Sequence, residues 1–111
     1  MKKVFISGKI TGEPIYECME KFYLATARAQ QRLARTEDYE NRIVTTYPEV
    51  VNPLTLPGIH FGISYKEAMK ICFAELKTCT HIYMLKDWKE SKGAKEEHQF
   101  AIDNGIEIIY E

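Results

Sequence analysis

Apolar and polar positions along the chain switch between a period near two and a period near 3.6. Lys3 to Ser7 (KVFIS) is a short β-rich run ending at a glycine, and it reads as a buried strand. GKITG follows as a loop, with Gly8 and Gly12 permitting unusual backbone angles. From Tyr16 to Ala34 the pattern is helical, because Phe22, Ala25, Ala29 and Leu33 recur at three- and four-residue spacing. The polar stretch TEDYENR ends that helix and is expected to be a loop. Ile43 to Asn52 reads as strand, interrupted by Pro48; the strand can lie on either side of the proline, at a sheet edge.

NPLTLPGIHFG, Asn52 to Gly62, is expected to be a long loop. Ser64 caps the next helix, with Glu67 in the Ser-x-x-Glu spacing of a capping box. That helix is expected to reach about Thr78 and to turn Ala68, Met69, Cys72, Leu76 and Phe73 inward. HIYML (His81 to Leu85) is the next strand and KDWKES a loop. Ser91 or Gly93 opens a helix through Asp103, and Asn104-Gly105 stops it. IEIIY supplies the last strand.

The order β-α-β-α-β-α-β predicts a single α/β domain over residues 1–111. Its expected form is a three-layer α/β/α sandwich of Rossmann/flavodoxin type, around a four-stranded, mainly parallel sheet of order 2-1-3-4. Ligands bind such sheets beyond the C-terminal strand ends, where the strand order reverses. GKITG after the first strand and KDWKESKGA after the third are therefore the loops expected to flank a site.

Composition narrows the function classes. Hydrophobic residues make up 45% and charged residues 28% of the 111, an ordinary globular balance. Fifteen basic and sixteen acidic side chains leave a net charge of −1, which gives no reason to expect nucleic-acid binding or an anionic membrane partner. No apolar run approaches the roughly 20 residues of a membrane span. The apolar run in MKKVFISGKI is too short for a signal peptide. Cys18, Cys72 and Cys79 are odd in number and lack CxxC spacing, which suits reduced thiols in a cytoplasmic protein. His60, His81 and His98 make no metal-ligand pattern, and no metal or organic cofactor is expected. GKITG is neither G-x-G-x-x-G nor a Walker A loop, so NAD and ATP binding are not supported.

The candidate chemistry lies in SKGAKEEHQFA, Ser91 to Ala101. Glu97 shares a helical face with Ala94 and Ala101, small residues that let a backbone or ligand come close. Glu96 shares its face with Phe100 and Asp103 and has no such frame. In the first turns of a helix the positive dipole end favours the ionised carboxylate, and a carboxylate at a pocket mouth can act as a nucleophile. On helical pattern alone, a surface or capping glutamate is the preferred reading.

KVFISGKITG, VVNP, HIYML and the run W-x-x-S-x-G-A-x-x-E-x-x-x-A together resemble the nucleoside 2-deoxyribosyltransferase-like superfamily, specifically its small bacterial and phage branch. The resemblance spans nearly the whole chain, and Gly93, Glu97 and Ala101 fit the spacing of the last motif. It implies that Glu97 is a nucleophile attacking C1′ of a deoxyribose and expelling the base, in the manner of a retaining glycosidase. It implies that Ser7, Gly8, Lys9 and Ile10 in and around the first loop, together with Cys72, Asp87, Trp88, Ser91 and Gly93, line the substrate pocket. Ser91 matches a position where a branch acting on deoxynucleoside monophosphates carries a phosphate-binding serine, and Lys9 and Lys92 could add positive charge. The resemblance also implies a homo-oligomer.

Two positions depart from the superfamily pattern. Cys72 stands four residues before Leu76, where an aspartate is usual, and Thr80 stands where an acid usually precedes the third sheet strand. A thiol is a poor substitute for a carboxylic acid at neutral pH. The expected function is therefore cleavage or transfer at the N-glycosidic bond of a deoxynucleoside or its 5′-monophosphate; the alternative is a nucleotide-binding module without turnover. Several residues keep two readings. Trp88 can stack on a base or cover the core edge, Ser91 can cap a helix or hold a phosphate, and Cys72 can be a pocket thiol or a small buried apolar group. His98 reads as packed or half-exposed, and Asp87 and Glu90 are the nearest candidates in sequence for a second acid beside Glu97.

Overall fold

A computed structural model of the chain describes residues 1–60 and 62–111. Its elements are β1 (Lys3–Ser7), α1 (Ile15–Arg32), β2 (Arg35–Tyr39), β3 (Arg42–Thr46), β4 (Glu49–Val51), α2 (Tyr65–Leu76), β5 (His81–Met84), α3 (Lys92–Asp103) and β6 (Glu107–Tyr110). Short 3-10 turns fall at Pro53–Thr55 and Trp88–Glu90. Four strands form a parallel sheet of order β4-β1-β5-β6. Numbered along the whole chain, this differs from the expected 2-1-3-4 because β2 and β3 intervene and pair with each other in a separate antiparallel ribbon.

Side-chain alternation along β1 sorts the core into two layers. Val4 and Ile6 face α1 and meet Cys18, Phe22, Ala25 and Ala29, with Tyr83 and Leu85 beside them. Phe5 faces the other way, among Cys72, Leu76, Ala94, Ala101, Ile82 and Met84. α1 thus lies on one face of the sheet and α2 with α3 on the other, as right-handed crossovers running in opposite directions from β1 require. The strand order reverses between β1 and β5.

The helix ends follow their chemistry. Ser64 accepts from the Glu67 backbone N–H at the start of α2, and Ser91 accepts from the Ala94 N–H at the start of α3. Both hydroxyls satisfy amide donors that have no partner inside the helix. Gly105 (φ 67°) takes the left-handed conformation just past α3, where a side chain would be strained. α1 ends at Arg32 rather than Ala34, and α2 at Leu76 rather than Thr78.

The largest difference from expectation is the segment TEDYENR. Instead of a loop it is β2, a tight turn and the start of β3. Glu40 (φ 43°) and Asn41 (φ 58°) are both left-handed, the geometry that lets a two-residue turn follow the twist of a hairpin. The ribbon carries no buried residue on either strand, so its sequence lacks the apolar alternation that marks a strand packed on a core. Pro48 separates the ribbon from β4, so both sides of the proline are strand, in different sheets. The loop expected over 52–62 begins with a 3-10 turn in which Asn52 Oδ1 accepts from the Leu54 N–H; Phe61, within that loop, lies outside the described residues.

A two-stranded ribbon without a packed face is marginal by itself, and a glutamate in the left-handed region costs roughly 1–2 kcal/mol. Glu40→Asn, which tolerates that conformation better, is expected to raise amide hydrogen-exchange protection across β2 and β3 by a few fold. Unchanged protection would mean that the turn does not limit ribbon opening.

Candidate active site

Ser7 is the last residue of β1 and points to the same side as Phe5, toward α2 and α3. Its hydroxyl donates to Glu97 Oε1 at 2.7 Å. Glu97 lies on the inner face of α3 between Ala94 and Ala101, and all three are buried. The small flanking side chains let α3 sit close against the sheet. The Cys72 thiol, on the inner face of α2, lies beside the same carboxyl. Three elements distant in sequence therefore place a hydroxyl, a carboxyl and a thiol together beside the β1/β5 reversal.

Burial decides the electrostatics. Glu97 is only 6% exposed, and desolvation raises its pKa to about 7, opposed by the Ser7 hydrogen bond and the neighbouring Cys72 thiol. The ionised form expected from the helix dipole is outweighed. Glu97 is the sixth residue of α3, and the dipole acts mainly over the first turn. The Cys72 thiol is pushed up to about 12 by burial first and by the neighbouring Glu97 charge second. It stays protonated at neutral pH and serves as a donor, not as an acid of useful strength.

The loops on either side are tied together. Gly8 packs against Leu85, and a Cβ there would come within 2.6 Å of Leu85 Cδ1. The Lys9 N–H donates to Asp87 Oδ1 at 3.0 Å, and Lys21 Nζ donates both to Asp87 Oδ2 and to the Lys9 carbonyl, each at 2.7 Å. Asp87 is therefore committed to the first loop and to Lys21, and not to Glu97. Glu90 is exposed, and Glu96 accepts from the Tyr65 hydroxyl. Among the described residues, the hydrogen bond to the Glu97 carboxyl comes from Ser7, with the Cys72 thiol beside it. Lys21 had no mark in the sequence beyond its place on α1. It falls at the edge of the buried stripe, where a long side chain can reach over the first loop.

The remaining candidates have other neighbours. Trp88 stacks on His98 at 4.2 Å between ring centroids, and His98 Nε2 shares a hydrogen bond with the Tyr110 hydroxyl. This favours the packing role of Trp88 over base stacking. Ser91 caps α3. Gly93 faces α2, where an added Cβ would lie 3.3 Å from Met69 Sδ. Ile10 is exposed and Lys9 half-buried in the first loop. Thr80 is at the opposite end of the sheet, where its hydroxyl bridges the Lys3 backbone and His81 Nδ1.

Two surface clefts lie elsewhere. One of about 440 Å³ is bounded by Met1, Lys2, Leu33, Arg35, Tyr47 and Pro48, at the N-terminal end of β1. A smaller one of about 110 Å³ lies on the ribbon between Glu37, Tyr39, Val44 and Thr46. Neither touches Glu97. Among the described residues no group of three His, Cys, Asp or Glu side chains is placed to hold a metal ion, and no helix is long and apolar enough to cross a membrane.

The chain belongs to the family defined as a domain of unknown function, DUF4406, whose family model matches residues 2–110. No curated protein matches the chain.

Two outcomes follow from this geometry. The folded protein holds the Glu97 proton more tightly than the unfolded chain, whose carboxyl titrates near 4.5. Wild-type stability therefore falls as pH rises from about 4.5 to about 7. Glu97→Gln lacks this titration, so its stability relative to wild type is expected to improve across that window, by on the order of 3 kcal/mol at most. Denaturant unfolding at several pH values measures it, and a pH-independent difference would contradict the burial argument. Separately, Gly8→Ala is expected to cost about 1–3 kcal/mol through the clash with Leu85, read from the same unfolding curves at neutral pH.

Proposed function

We propose that this DUF4406 protein cleaves the N-glycosidic bond of a deoxynucleoside or deoxynucleoside 5′-monophosphate, or transfers its sugar, with Glu97 as the nucleophile. The observation that carries the reading is the position of the Glu97 carboxyl, held by Ser7 at the C-terminal end of β1 beside the strand-order reversal, where α/β sheets place their ligands. The resemblance to the nucleoside 2-deoxyribosyltransferase-like superfamily supports it and supplies the substrate class.

In this reaction a Glu97 oxygen attacks C1′ while the C1′–N bond breaks, and the bonding electron pair leaves with the base. The base takes a proton from solvent. Water or a second base then attacks C1′ and releases the carboxylate. The Ser7 hydroxyl orients the attacking carboxyl throughout. Attack requires the ionised form, which a pKa of about 7 leaves available in neutral solution. Because Glu97 is buried, the reading also requires the Lys9 and Asp87 loops to part when substrate enters. No metal or organic cofactor takes part, the partner is a small molecule, and the protein acts as a homo-oligomer.

One observation favours a second reading. Cys72, held protonated, occupies the place where the superfamily carries an aspartate. Loss of general-acid help to the leaving base is typically worth about 10²–10⁴-fold in rate. A nucleotide-binding module that retains the fold and lacks turnover is the alternative.

The test incubates the protein with a panel of deoxynucleosides and their 5′-monophosphates, with and without a second free base, and follows the bases by chromatography. Release or exchange is expected, rising with pH to a plateau above about 7 as Glu97 ionises, and absent in Glu97→Ala. Binding of a panel member without release at any pH would leave the binding module.

A further inference from the structure

Both oxygens of the Asp87 carboxylate are held by donors from other elements. Oδ1 accepts from the Lys9 N–H at 3.0 Å, and Oδ2 accepts from Lys21 Nζ at 2.7 Å. A backbone amide and an ammonium converging on one small anion is a donor set that suits a phosphate group. These donors are positioned without help from Asp87. Gly8 packs tightly on Leu85, which restrains the peptide that carries the Lys9 N–H. Lys21 Nζ is anchored by the Lys9 carbonyl at 2.7 Å, and Glu13 stands farther off at 3.8 Å. The Lys21–Asp87 pair is itself partly exposed, and such pairs hold weakly.

We infer that the Lys9 N–H and the Lys21 ammonium form a phosphate site, that the protein closes this site with its own Asp87 carboxylate, and that the phosphate it takes is carried on the sugar of the substrate. Position supports the sugar phosphate. Ser7, which bonds Glu97, is two residues before Lys9, a span of at most about 7 Å. One sugar fits that span, with its anomeric carbon at Glu97 and its phosphate at the Lys9 amide. Charge supports it as well. The loops 8–14 and 85–92, together with Lys21, carry five lysines against three carboxylates, in a chain whose net charge is −1. A dianionic phosphate competes for an ammonium better than a singly charged carboxylate does. Displacing Asp87 frees the loop after β1 from the loop after β5, so phosphate binding and the uncovering of Glu97 become one event.

The inference rests on the nucleotide site of the proposed function and deepens it, selecting the 5′-monophosphate over the nucleoside. It concerns binding alone, so its failure and that of the glycosidic chemistry are read from different measurements.

Calorimetric titration with 2-deoxyribose 5-phosphate, 2-deoxyribose and inorganic phosphate tests it, because none of these probes carries a base. Wild type is expected to bind the sugar phosphate at least about tenfold more tightly than the sugar, and Lys21→Met to narrow that preference by about tenfold. Asp87→Asn keeps an oxygen to accept from the Lys9 N–H but removes the competing charge, and is expected to tighten the sugar phosphate by about threefold or more. The two variants therefore act in opposite directions, whereas a clamp that only orders the loops would be weakened by both. Far-UV circular dichroism establishes that each variant is folded. Equal binding of the two sugars, a preference unchanged in folded Lys21→Met, or weaker sugar phosphate binding in folded Asp87→Asn would each overturn the site. Inorganic phosphate binding as tightly as the sugar phosphate would make free phosphate the ligand and overturn the substrate assignment. Base release from unphosphorylated deoxynucleosides that depends on Glu97, with no phosphate preference, would keep the proposed reaction and discard the phosphate site.

Discussion

The carboxyl of Glu97 is buried in the layer between the sheet and α2 with α3, and much of the molecule is arranged around that burial. A carboxyl out of water needs hydrogen bonds to replace those of solvent. Ser7 supplies one from the end of β1, and the Cys72 thiol of α2 lies beside the carboxyl. The same contact joins the first strand to the last helix, 90 residues apart. Its neighbours are small where they have to be, with Ala94 and Ala101 allowing α3 to approach the sheet closely enough for Ser7 to reach. A structural carboxyl could be replaced by an apolar group that needs no partners. A buried carboxyl at the strand-order reversal is the observation on which the proposed catalytic reading rests.

The surrounding loops are ordered by a second polar arrangement on the other face. Asp87 accepts from the Lys9 N–H and the Lys21 ammonium, and Lys21 also donates to the Lys9 carbonyl. This clamp fixes the loop after β1 to the loop after β5, the two segments that must part if a ligand is to reach Glu97. It is partly exposed to water, so it costs less to open than a buried pair would. Stability and access are thus set by different side chains. The buried trio joins the sheet to α2 and α3, and the clamp ties the two loops to each other.

The periphery follows a different logic. The β2–β3 ribbon and the outer face of α1 present apolar and aromatic groups to solvent, among them Tyr39, Ile43, Tyr16 and Tyr23. A chain of 111 residues buries a smaller fraction of its surface than a larger one.

The sequence by itself determined the sheet and its three helices. β1, β5 and β6 carry β-rich runs, and α1 to α3 carry stripes and caps whose effect is local: Ser64 and Ser91 bond amides three residues on, and Gly105 turns the chain where it stands. These are short-range interactions, so their residue patterns suffice. The ribbon was not legible, because strands that pack on nothing carry no buried alternation. The resemblance singled out Glu97, and helix spacing put it on the face of Ala94 and Ala101. Only the tertiary structure decided that it is buried and titrates near neutrality, that the Ser7 hydroxyl donates to it with Cys72 beside it, and that Asp87 belongs to Lys21 instead. Those facts depend on which side chains meet across strands and helices distant in sequence, and on how much water remains between them. Spacing along a chain specifies neither.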